Sequence, residues 1–350
     1  MLDMPDAPGS VGPLYVIGGA EDKLRRRTVL RHFVHACGGD GVRIAVIPIA
    51  SSLGPEIVDI YAALFSRLGA AEVVGVRPES RNDASDPTYV AQLDDVDGIF
   101  MTGGNQLKLS AIINGTPFGD AIGRAHRRGV VVGGTSAGAS IQSSHMVAFG
   151  TGGSTPKQRM TQLAAGLGLL PDCVIDQHFA QRNRYGRLLM LVAQSPNLLG
   201  IGVDEDTAAV VTDDRAVEVI GRGAVTIIDG LDMISDAHEA TRTQPLLVSG
   251  ARLHVLPAGA RFDLTKRALV AAETVIDLAE AEELEIAGAD LRRLARDIAA
   301  EGVSPANLRR RQARTRGPET AARPDPVEAA DPAAHTGPAD VTEPAEDRHE

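Results

Sequence analysis

The sequence predicts an α/β fold in which helices cover both faces of a mostly parallel sheet. Short apolar runs alternate with amphipathic stretches over the first half of the chain, which is the pattern of a parallel sheet with crossover helices. The 350 residues are 43% hydrophobic, yet they include no Trp and only 7 Phe and 4 Tyr. The core must therefore be aliphatic, which suits parallel strands that are buried on both faces.

The elements follow in chain order. Apolar runs that end in glycine or polar residues predict strands at 14–17, 43–47, 72–76, 98–101, 130–132, 174–175 and 201–203. Helical spacing of apolar side chains predicts helices over 22–37 and 55–68, and Pro55 stands at the start of the second, where its missing N–H is harmless. Ligand sites in such folds lie beyond the carboxyl ends of the strands. Polar motifs that directly follow strands are thus the candidates for function.

The C-terminal part has a different residue pattern from the first half of the chain. Residues 216–220 with 225–229, and residues 253–257 with 261–264, have the pattern of two additional β-hairpins, and residues 282–300 that of a helix. From about Arg309 the chain is rich in Pro, Ala and acidic residues and lacks Leu, Ile and Phe, so it cannot bury a core. We expect a flexible N-terminus (1–12), a single α/β catalytic domain (13–305) and a disordered tail (306–350).

Composition excludes several classes of function. The net charge of −11, without a basic stripe, argues against nucleic acid as a partner. The two cysteines, Cys37 and Cys173, are far apart and form no metal-binding or disulfide pattern, so we expect no metal site. No signal peptide and no apolar run of membrane-spanning length is evident. A cytoplasmic protein with no membrane partner is the expectation.

Ser136 is the candidate nucleophile of a hydrolase. It lies in Gly134-Thr135-Ser136-Ala137-Gly138, directly after an apolar β-branched strand. A tight strand-to-helix turn needs small residues two positions before and after the serine, because neighbouring backbone comes very close. The N–H of Ala137 would face an oxyanion. The alternative is a glycine-rich turn with a capping serine.

A serine nucleophile needs a base, and the base needs an acid to orient it. His178 follows a strand, and the carboxylates of Asp204, Glu205 and Asp206 follow the next strand. Spacing alone leaves open which acid faces His178. It also leaves open a solvated turn or a divalent-metal site, although further oxygen ligands for a metal are not evident.

Two more segments follow strand ends. Backbone N–H groups of Thr102-Gly103-Gly104-Asn105-Gln106 would supply the second oxyanion donor, at Gly104, and Gln106 a substrate contact; the alternative is a plain glycine turn. Arginines at 182, 184 and 187 come soon after His178. Guanidinium groups pair bidentately with carboxylates, so a carboxylate-bearing substrate is indicated, against the alternative of a solvated basic helix face.

Together these segments resemble the cyanophycinases of peptidase family S51, which also includes the aspartyl dipeptidases known as peptidase E. The resemblance runs from about Leu14 to Leu264 and is carried by residues 16–23, 103–106, 133–139, 176–179, 202–208 and 256–259, with the three arginines. It implies a three-layer α/β/α fold similar to class I glutamine amidotransferases. It further implies a homodimer without a cofactor.

The resemblance also implies roles for individual residues. Ser136 would be the nucleophile, His178 the general base and Glu205 the orienting acid. Substrate-binding positions carry over to Gln106, Asp176, Gln177, Arg182, Arg184 and Arg187. The implied substrate is cyanophycin, a poly-aspartate with arginine on each β-carboxyl, and the implied product is the β-Asp-Arg dipeptide.

Two departures and two rival functions remain. Ile49 stands where the family usually has Thr, and Asn105 where Asp is common; the second leaves fine substrate preference open.

The first rival function is a peptidase E-like α-aspartyl dipeptidase, which the three arginines and the C-terminal hairpins disfavour. The second is a non-catalytic binding protein on the same scaffold, which the intact Ser136, His178 and Glu205 set disfavours. An amidotransferase would need Cys in place of Ser136.

Overall fold

The computed structural model describes residues 11–213, 215–241 and 244–270. The helices are α1 (Thr28–Ala36), α2 (Glu56–Arg67), α3 (Pro87–Ala91), α4 (Gln106–Ile113), α5 (Pro117–Arg127), α6 (Ala137–Ser140) and α7 (Tyr185–Gln194). The strands are β1 (Leu14–Ile17), β2 (Arg43–Ile47), β3 (Glu72–Gly75), β4 (Gly98–Met101), β5 (Val131–Thr135), β6 (His145–Gly150), β7 (Thr161–Ala165), β8 (Cys173–Gln177), β9 (Leu199–Val203), β10 (Thr207–Val211), β11 (Ala216–Gly221), β12 (Ala224–Asp229), β13 (Ile234–Ser235), β14 (Val248–Ser249), β15 (Arg252–Pro257), β16 (Arg261–Asp263) and β17 (Ala268–Leu269). The predicted N-terminal segment up to residue 10, the predicted helix over 282–300 and the predicted tail over 306–350 lie outside the described residues.

The central sheet has nine strands in the order β17-β16-β11-β10-β1-β5-β4-β2-β3. Strands β1, β5, β4, β2 and β3 are parallel, and β10, β11, β16 and β17 extend the sheet antiparallel from β1. The predicted α/β class is thereby confirmed. Because β5 and β4 are parallel neighbours, the polar segments that follow them meet at one edge of the sheet.

Helices cover both faces of this sheet, as the alternation of side chains along the strands requires. Tyr15 and Ile17 pack with α1 and α2 on one face. Leu14 and Val16 belong to the larger core on the other face, which also takes in apolar side chains of α4, α5 and α6. The described strands of the parallel half are buried through nearly their whole length, with the edge strand β3 as the exception. The result is the three-layer arrangement that the sequence predicts.

A second sheet of four strands, in the order β15-β12-β9-β8, lies alongside. Strands β8 and β9 are parallel, and β12 and β15 continue the sheet antiparallel. Helix α7 packs on it through an apolar cluster that includes Leu188 and Val192. Apolar side chains of both sheets, Ile201 and Val16 among them, share the largest core.

The C-terminal region does contain hairpins, but the strand pairings predicted for it are wrong. Strand β11 pairs with β10 and β16 in the central sheet, while β12 pairs with β9 and β15 in the second sheet. Gly221, at a φ of 110°, starts the turn that carries the chain from one sheet to the other. A short glycine turn between two apolar strands is typical both of a hairpin and of such a crossing, so the sequence pattern did not separate the two.

The first helix is shorter than predicted. It begins at Thr28 rather than at residue 22. The Asp22 carboxylate accepts hydrogen bonds from the four backbone N–H groups of residues 24–27, at distances of 2.6 to 3.1 Å. A short acidic side chain that bonds its own backbone competes with the helical pattern, which explains the late start.

Candidate functional site

Ser136 lies in the turn between β5 and α6, with a φ of 53° and a ψ of −106°. A methyl group at Gly134 would be 2.0 Å from the carbonyl oxygen of Gly138, and one at Gly138 would be 2.2 Å from that of Met101. Side chains are therefore excluded at both positions. The turn holds the serine in a backbone conformation that L-residues rarely adopt, and such strained positions cluster at functional sites.

Replacing Gly134 with alanine is expected to destabilise the protein by about 2 kcal/mol, because the new methyl group must displace backbone rather than a flexible side chain. Urea unfolding measures the change. Gly123→Ala is the matched control: the nearest atom to its methyl group would be 3.5 Å away, at a side-chain end in α5, so this variant should be stabilised by up to about 1 kcal/mol. Equal unfolding free energies for the two variants would contradict the steric argument.

His178 stands beside Ser136 at the end of β8. Its Nε2 is 3.0 Å from Ser136 Oγ, and its Nδ1 is 2.6 Å from Glu205 Oε1. A methyl group at Gly19 would be only 2.3 Å from His178 Cε1, so this glycine lets the main chain lie close against the imidazole. Serine, imidazole and carboxylate form one hydrogen-bonded row, an arrangement that can activate a serine as a nucleophile.

The structure separates the three clustered acids, which spacing alone left open. Asp204 accepts hydrogen bonds from two backbone N–H groups, at 3.0 and 3.1 Å, and Asp206 accepts one at 2.8 Å. Both therefore brace the surrounding loops. Glu205 is the acid whose carboxylate reaches His178.

The protonation of His178 is set by opposing effects. Burial of the imidazole lowers the pKa of His178, while its hydrogen bond to Glu205 raises it; the charges of Arg182 and Arg184 lower it further. The net direction is below the ordinary value. The imidazole is therefore neutral near pH 7, as a proton acceptor must be.

The glycine pair after β4, Gly103 and Gly104, lies against the turn that carries Ser136. A methyl group at Gly103 would be 3.2 Å from Ser136 Cβ, and one at Gly104 would be 2.0 Å from the Ala50 carbonyl oxygen. Among the described residues, neither the Gly104 N–H nor the Ala137 N–H has an acceptor. Two such donors near the serine fit the predicted oxyanion site, which remains a prediction.

Three of the predicted substrate-binding residues form a buried ion-pair cluster. Asp176 is 0% exposed, and Arg187 is 2% exposed. Arg187 Nε donates to Asp176 Oδ2 at 2.6 Å, and its Nη2 donates to Oδ1. Arg184 Nη1 donates to the same Oδ1 at 3.1 Å. Both oxygens of the Asp176 carboxylate are thus engaged by guanidinium groups of the protein itself.

The cluster continues toward β6 through two amides. Arg184 Nη1 donates to Gln177 Oε1 at 2.7 Å, and Gln177 Nε2 donates to Gln106 Oε1 at 3.3 Å. Gln106 Nε2 in turn donates to the carbonyls of Val147 and Ala148, at 2.6 and 2.7 Å. Five of the six predicted substrate residues are therefore linked to one another, and Arg182 lies outside this network with an exposed side chain.

This burial bears on the direct substrate contacts predicted for Asp176 and Arg187, which stay predictions. A carboxylate without exposed surface cannot meet a substrate guanidinium, and an arginine engaged by Asp176 and by the Gly150 carbonyl holds the protein together. In our interpretation both are positioning residues. The sequence signal, a basic run after a histidine, did not distinguish buried from exposed arginines.

Glu21 is a buried acid that the sequence reasoning assigned no role. Its Oε2 accepts from Thr135 Oγ1 at 2.5 Å, and its Oε1 accepts from Lys23 Nζ at 2.6 Å and from the Tyr61 hydroxyl. It lines a cavity of about 250 Å³ together with Ser136. The available signal was its place just after a strand-ending glycine pair, the same signal that selected the other motifs.

The described residues offer neither a metal site nor a membrane-spanning helix. No group of three or more His, Cys, Asp and Glu side chains there is arranged to hold a metal ion. None of the helices in that part of the chain is long and apolar enough to cross a membrane.

Comparison with known proteins gives concordant results. The profile of peptidase family S51 matches residues 14–219. A cyanophycinase from Geminocystis herdmanii is 41% identical over 250 residues, covering 71% of this chain and 92% of the relative. Cyanophycinases from Nostoc sp. and Synechococcus elongatus are 38% and 39% identical, and cover 77% and 73% of this chain and 92% and 80% of their own. The crystal structure of a peptidase from an acI-B1 Actinobacterium superposes with a TM-score of 0.57 at 22% identity, covering 73% of this chain and 98% of that one.

Proposed function

The chain belongs to peptidase family S51 and is a serine peptidase, and from this premise we propose that it hydrolyses cyanophycin to β-Asp-Arg dipeptides. The observation that carries the mechanism is the hydrogen-bonded row of Ser136, His178 and Glu205. The three relatives named above are cyanophycinases at 38% to 41% identity, and they suggest the substrate. We further propose that the enzyme is a cytoplasmic homodimer that needs no cofactor.

The row defines the first half of the reaction. His178 Nε2 takes the proton of Ser136 Oγ as the oxygen attacks an aspartyl carbonyl carbon. The N–H groups of Gly104 and Ala137 hold the resulting oxyanion. Protonated His178 then gives its proton to the leaving nitrogen, the peptide bond breaks, and the acyl group remains as an ester on Ser136.

Water completes the turnover. His178 Nε2 takes a proton from a water molecule as that water attacks the ester carbonyl, and the C–O bond to Ser136 breaks as the proton returns to Oγ. Glu205 keeps Nδ1 protonated throughout and stabilises the imidazolium that forms twice in each cycle. Every proton transfer in this cycle takes place at the row of Ser136, His178 and Glu205, so the proposed reaction needs no cofactor.

Charge near His178 favours a substrate that carries carboxylates. The buried cluster holds the two guanidinium groups of Arg184 and Arg187 against the single carboxylate of Asp176, which leaves an excess positive charge. Exposed Arg182 adds another positive charge. Each unit of cyanophycin bears a free arginine carboxylate beside its guanidinium group, and exposed Arg182 would bind that carboxylate.

The decisive experiment is incubation of the purified protein with purified cyanophycin, with mass spectrometry of the products. Release of β-Asp-Arg is the expected result. An α-linked Asp-X dipeptide series runs in parallel, because a peptidase E-like enzyme would cleave those compounds and spare the polymer. Turnover of the dipeptides alone would overturn the proposed substrate while leaving the serine chemistry intact.

The pH profile tests the assignment of His178 as base. Because the neutral imidazole is the active form and burial lowers its pKa, kcat/KM should rise with pH with an inflection below the ordinary pKa of about 6.5. Glu205→Gln removes a carboxylate that raises this pKa, so its rising limb should move to lower pH, and its rate should fall by roughly 10²- to 10⁴-fold. Glu239→Gln, at an exposed position, is the control. An inflection at or above pH 6.5 in the parent enzyme would contradict the assignment.

A further inference from the structure

A large open groove lies next to the buried ion-pair cluster. We name it the hairpin groove and define it by residues 149–155, 157–160 and Asn183. Its volume is about 860 Å³, against about 250 Å³ for the cavity beside Ser136. Nothing in the reaction described above uses it, and its volume lies in the range of sites that bind ligands.

The groove is joined to the segment that follows His178 by direct backbone contacts. Gly153 N donates to the Asn183 carbonyl at 2.6 Å, and Gly186 N donates to the Gly153 carbonyl at 2.8 Å. A methyl group at Gly152 would be 2.4 Å from the Arg182 carbonyl oxygen. Glycines thus allow the loop between β6 and β7 to lie directly on the chain that carries the base.

Side chains make a second connection. Arg187 Nη1 donates to the Gly150 carbonyl at 3.1 Å, and Gln106 donates to the carbonyls of β6 just before the groove. The β6–β7 pairing is irregular between Val147 and Phe149. Such a bulge re-aims the side chains that follow it, and Phe149 is 54% exposed at the groove. The wall of the groove is therefore continuous with the network of Gln106, Gln177 and Arg187.

The charges that line the groove have one sign. Lys157 and Arg159 line it and no Asp or Glu does, although the chain as a whole carries a net charge of −11. Neither cation has an ion-pair partner among the residues that the structure describes. Exposed cations without partners beside an exposed aromatic ring can bind carboxylates and, through the ring, a guanidinium group.

We propose that the hairpin groove is a binding site for the units of an aspartyl polymer that lie beyond the unit being cleaved. Lys157 and Arg159 bind the carboxylates of the arginyl side chains, and Phe149 stacks against a guanidinium group. This inference rests on the proposed function, since it takes the polymer as substrate. It adds a remote subsite, whose effect is to bind long chains more tightly than short ones.

The test compares polymer with a two-unit substrate, (β-Asp-Arg)₂. In Lys157→Gln/Arg159→Gln, the ratio of kcat/KM for polymer to kcat/KM for the two-unit substrate should fall roughly three- to tenfold, the effect of losing two exposed charge contacts. Added NaCl should change polymer KM less in this variant than in the parent enzyme. Lys157→Arg/Arg159→Lys keeps both charges and should keep the parent ratio. Arg31→Gln/Arg67→Gln removes two exposed charges from α1 and α2, which do not line the groove, and should also keep it.

Binding separates this inference from the proposed function. In a Ser136→Ala background, which holds the polymer intact, the glutamine pair should weaken polymer binding by the same factor. An unchanged ratio together with unchanged binding would overturn the groove as a subsite even if dipeptide is released. If the parent enzyme releases no dipeptide, the proposed function fails, and polymer binding by the Ser136→Ala proteins decides on the groove alone.

Discussion

Ser136→Ala is expected to reduce the release of β-Asp-Arg by at least about 10⁴-fold while the protein stays folded. The substitution removes the one atom that forms the acyl bond, and no other hydroxyl is hydrogen-bonded to His178 in the described structure. The substrate-binding groups and the oxyanion donors remain in this variant, so it should still hydrolyse the substrate slightly faster than water alone does. Initial rates with cyanophycin measure the loss of activity, and thermal unfolding measures whether the variant stays folded.

Ser140 provides the matched control for that experiment. It is the last residue of α6, the short helix that directly follows Ser136, and it is fully buried, and its Oγ has no hydrogen-bond partner among the described residues. Ser140→Ala therefore removes a buried serine hydroxyl without touching the row, and should leave both rate and stability near those of the parent. Substantial hydrolysis by Ser136→Ala would show that the assigned nucleophile is wrong.

Asp176→Asn should destabilise the protein by about 3 to 5 kcal/mol, the usual cost of removing one partner of a buried ion pair. Asparagine has nearly the same shape, but it leaves Arg184 and Arg187 as buried cations without a counter-charge. The free energy of unfolding in urea is the measurement. Hydrolysis should fall as well, because the network that positions Gln177 and Gln106 depends on these arginines.

The same chemical change at an exposed ion pair is the control. Asp232 pairs with Arg252 where both side chains are largely exposed, and Asp232→Asn should cost no more than about 1 kcal/mol. Should Asp176→Asn unfold within about 0.5 kcal/mol of the parent, the cluster would not be the structural element described above. A folded Asp176→Asn protein that loses only substrate affinity would instead restore the direct contact predicted from the sequence.

The parallel half of the fold was predictable because its strands are buried on both faces. Such strands appear as short apolar runs, and the positions of Ser136 and His178 directly after two of them followed from the same pattern. The spacing of the sequence narrowed the acid that orients His178 to three neighbouring residues, Asp204, Glu205 and Asp206. Spacing could not separate these three acids, since Asp204 and Asp206 bond backbone groups that are distant in sequence; the family resemblance pointed to Glu205.

Other features depended on long-range contacts that the sequence pattern does not encode. Strands β11 and β12 are consecutive and apolar, yet they belong to different sheets because the turn at Gly221 redirects the chain. Arg187, on helix α7, bonds Asp176 and also reaches the Gly150 carbonyl of β6, which lies 37 residues earlier in the chain, and this packing buries both side chains. Residue type predicted that these charges would bind substrate, and it gave no sign that they pair with one another inside the protein.

The hydrogen bond between Ser136 and His178 joins two different sheets. Ser136 follows β5 of the central sheet, whereas His178 and Glu205 follow β8 and β9 of the second sheet. A nascent or partly unfolded chain in which only one sheet has formed does not bring Ser136 and His178 together. Peptidase activity therefore reports that the two sheets have packed against each other. The chain can therefore cleave a peptide bond only after the core that both sheets share has formed.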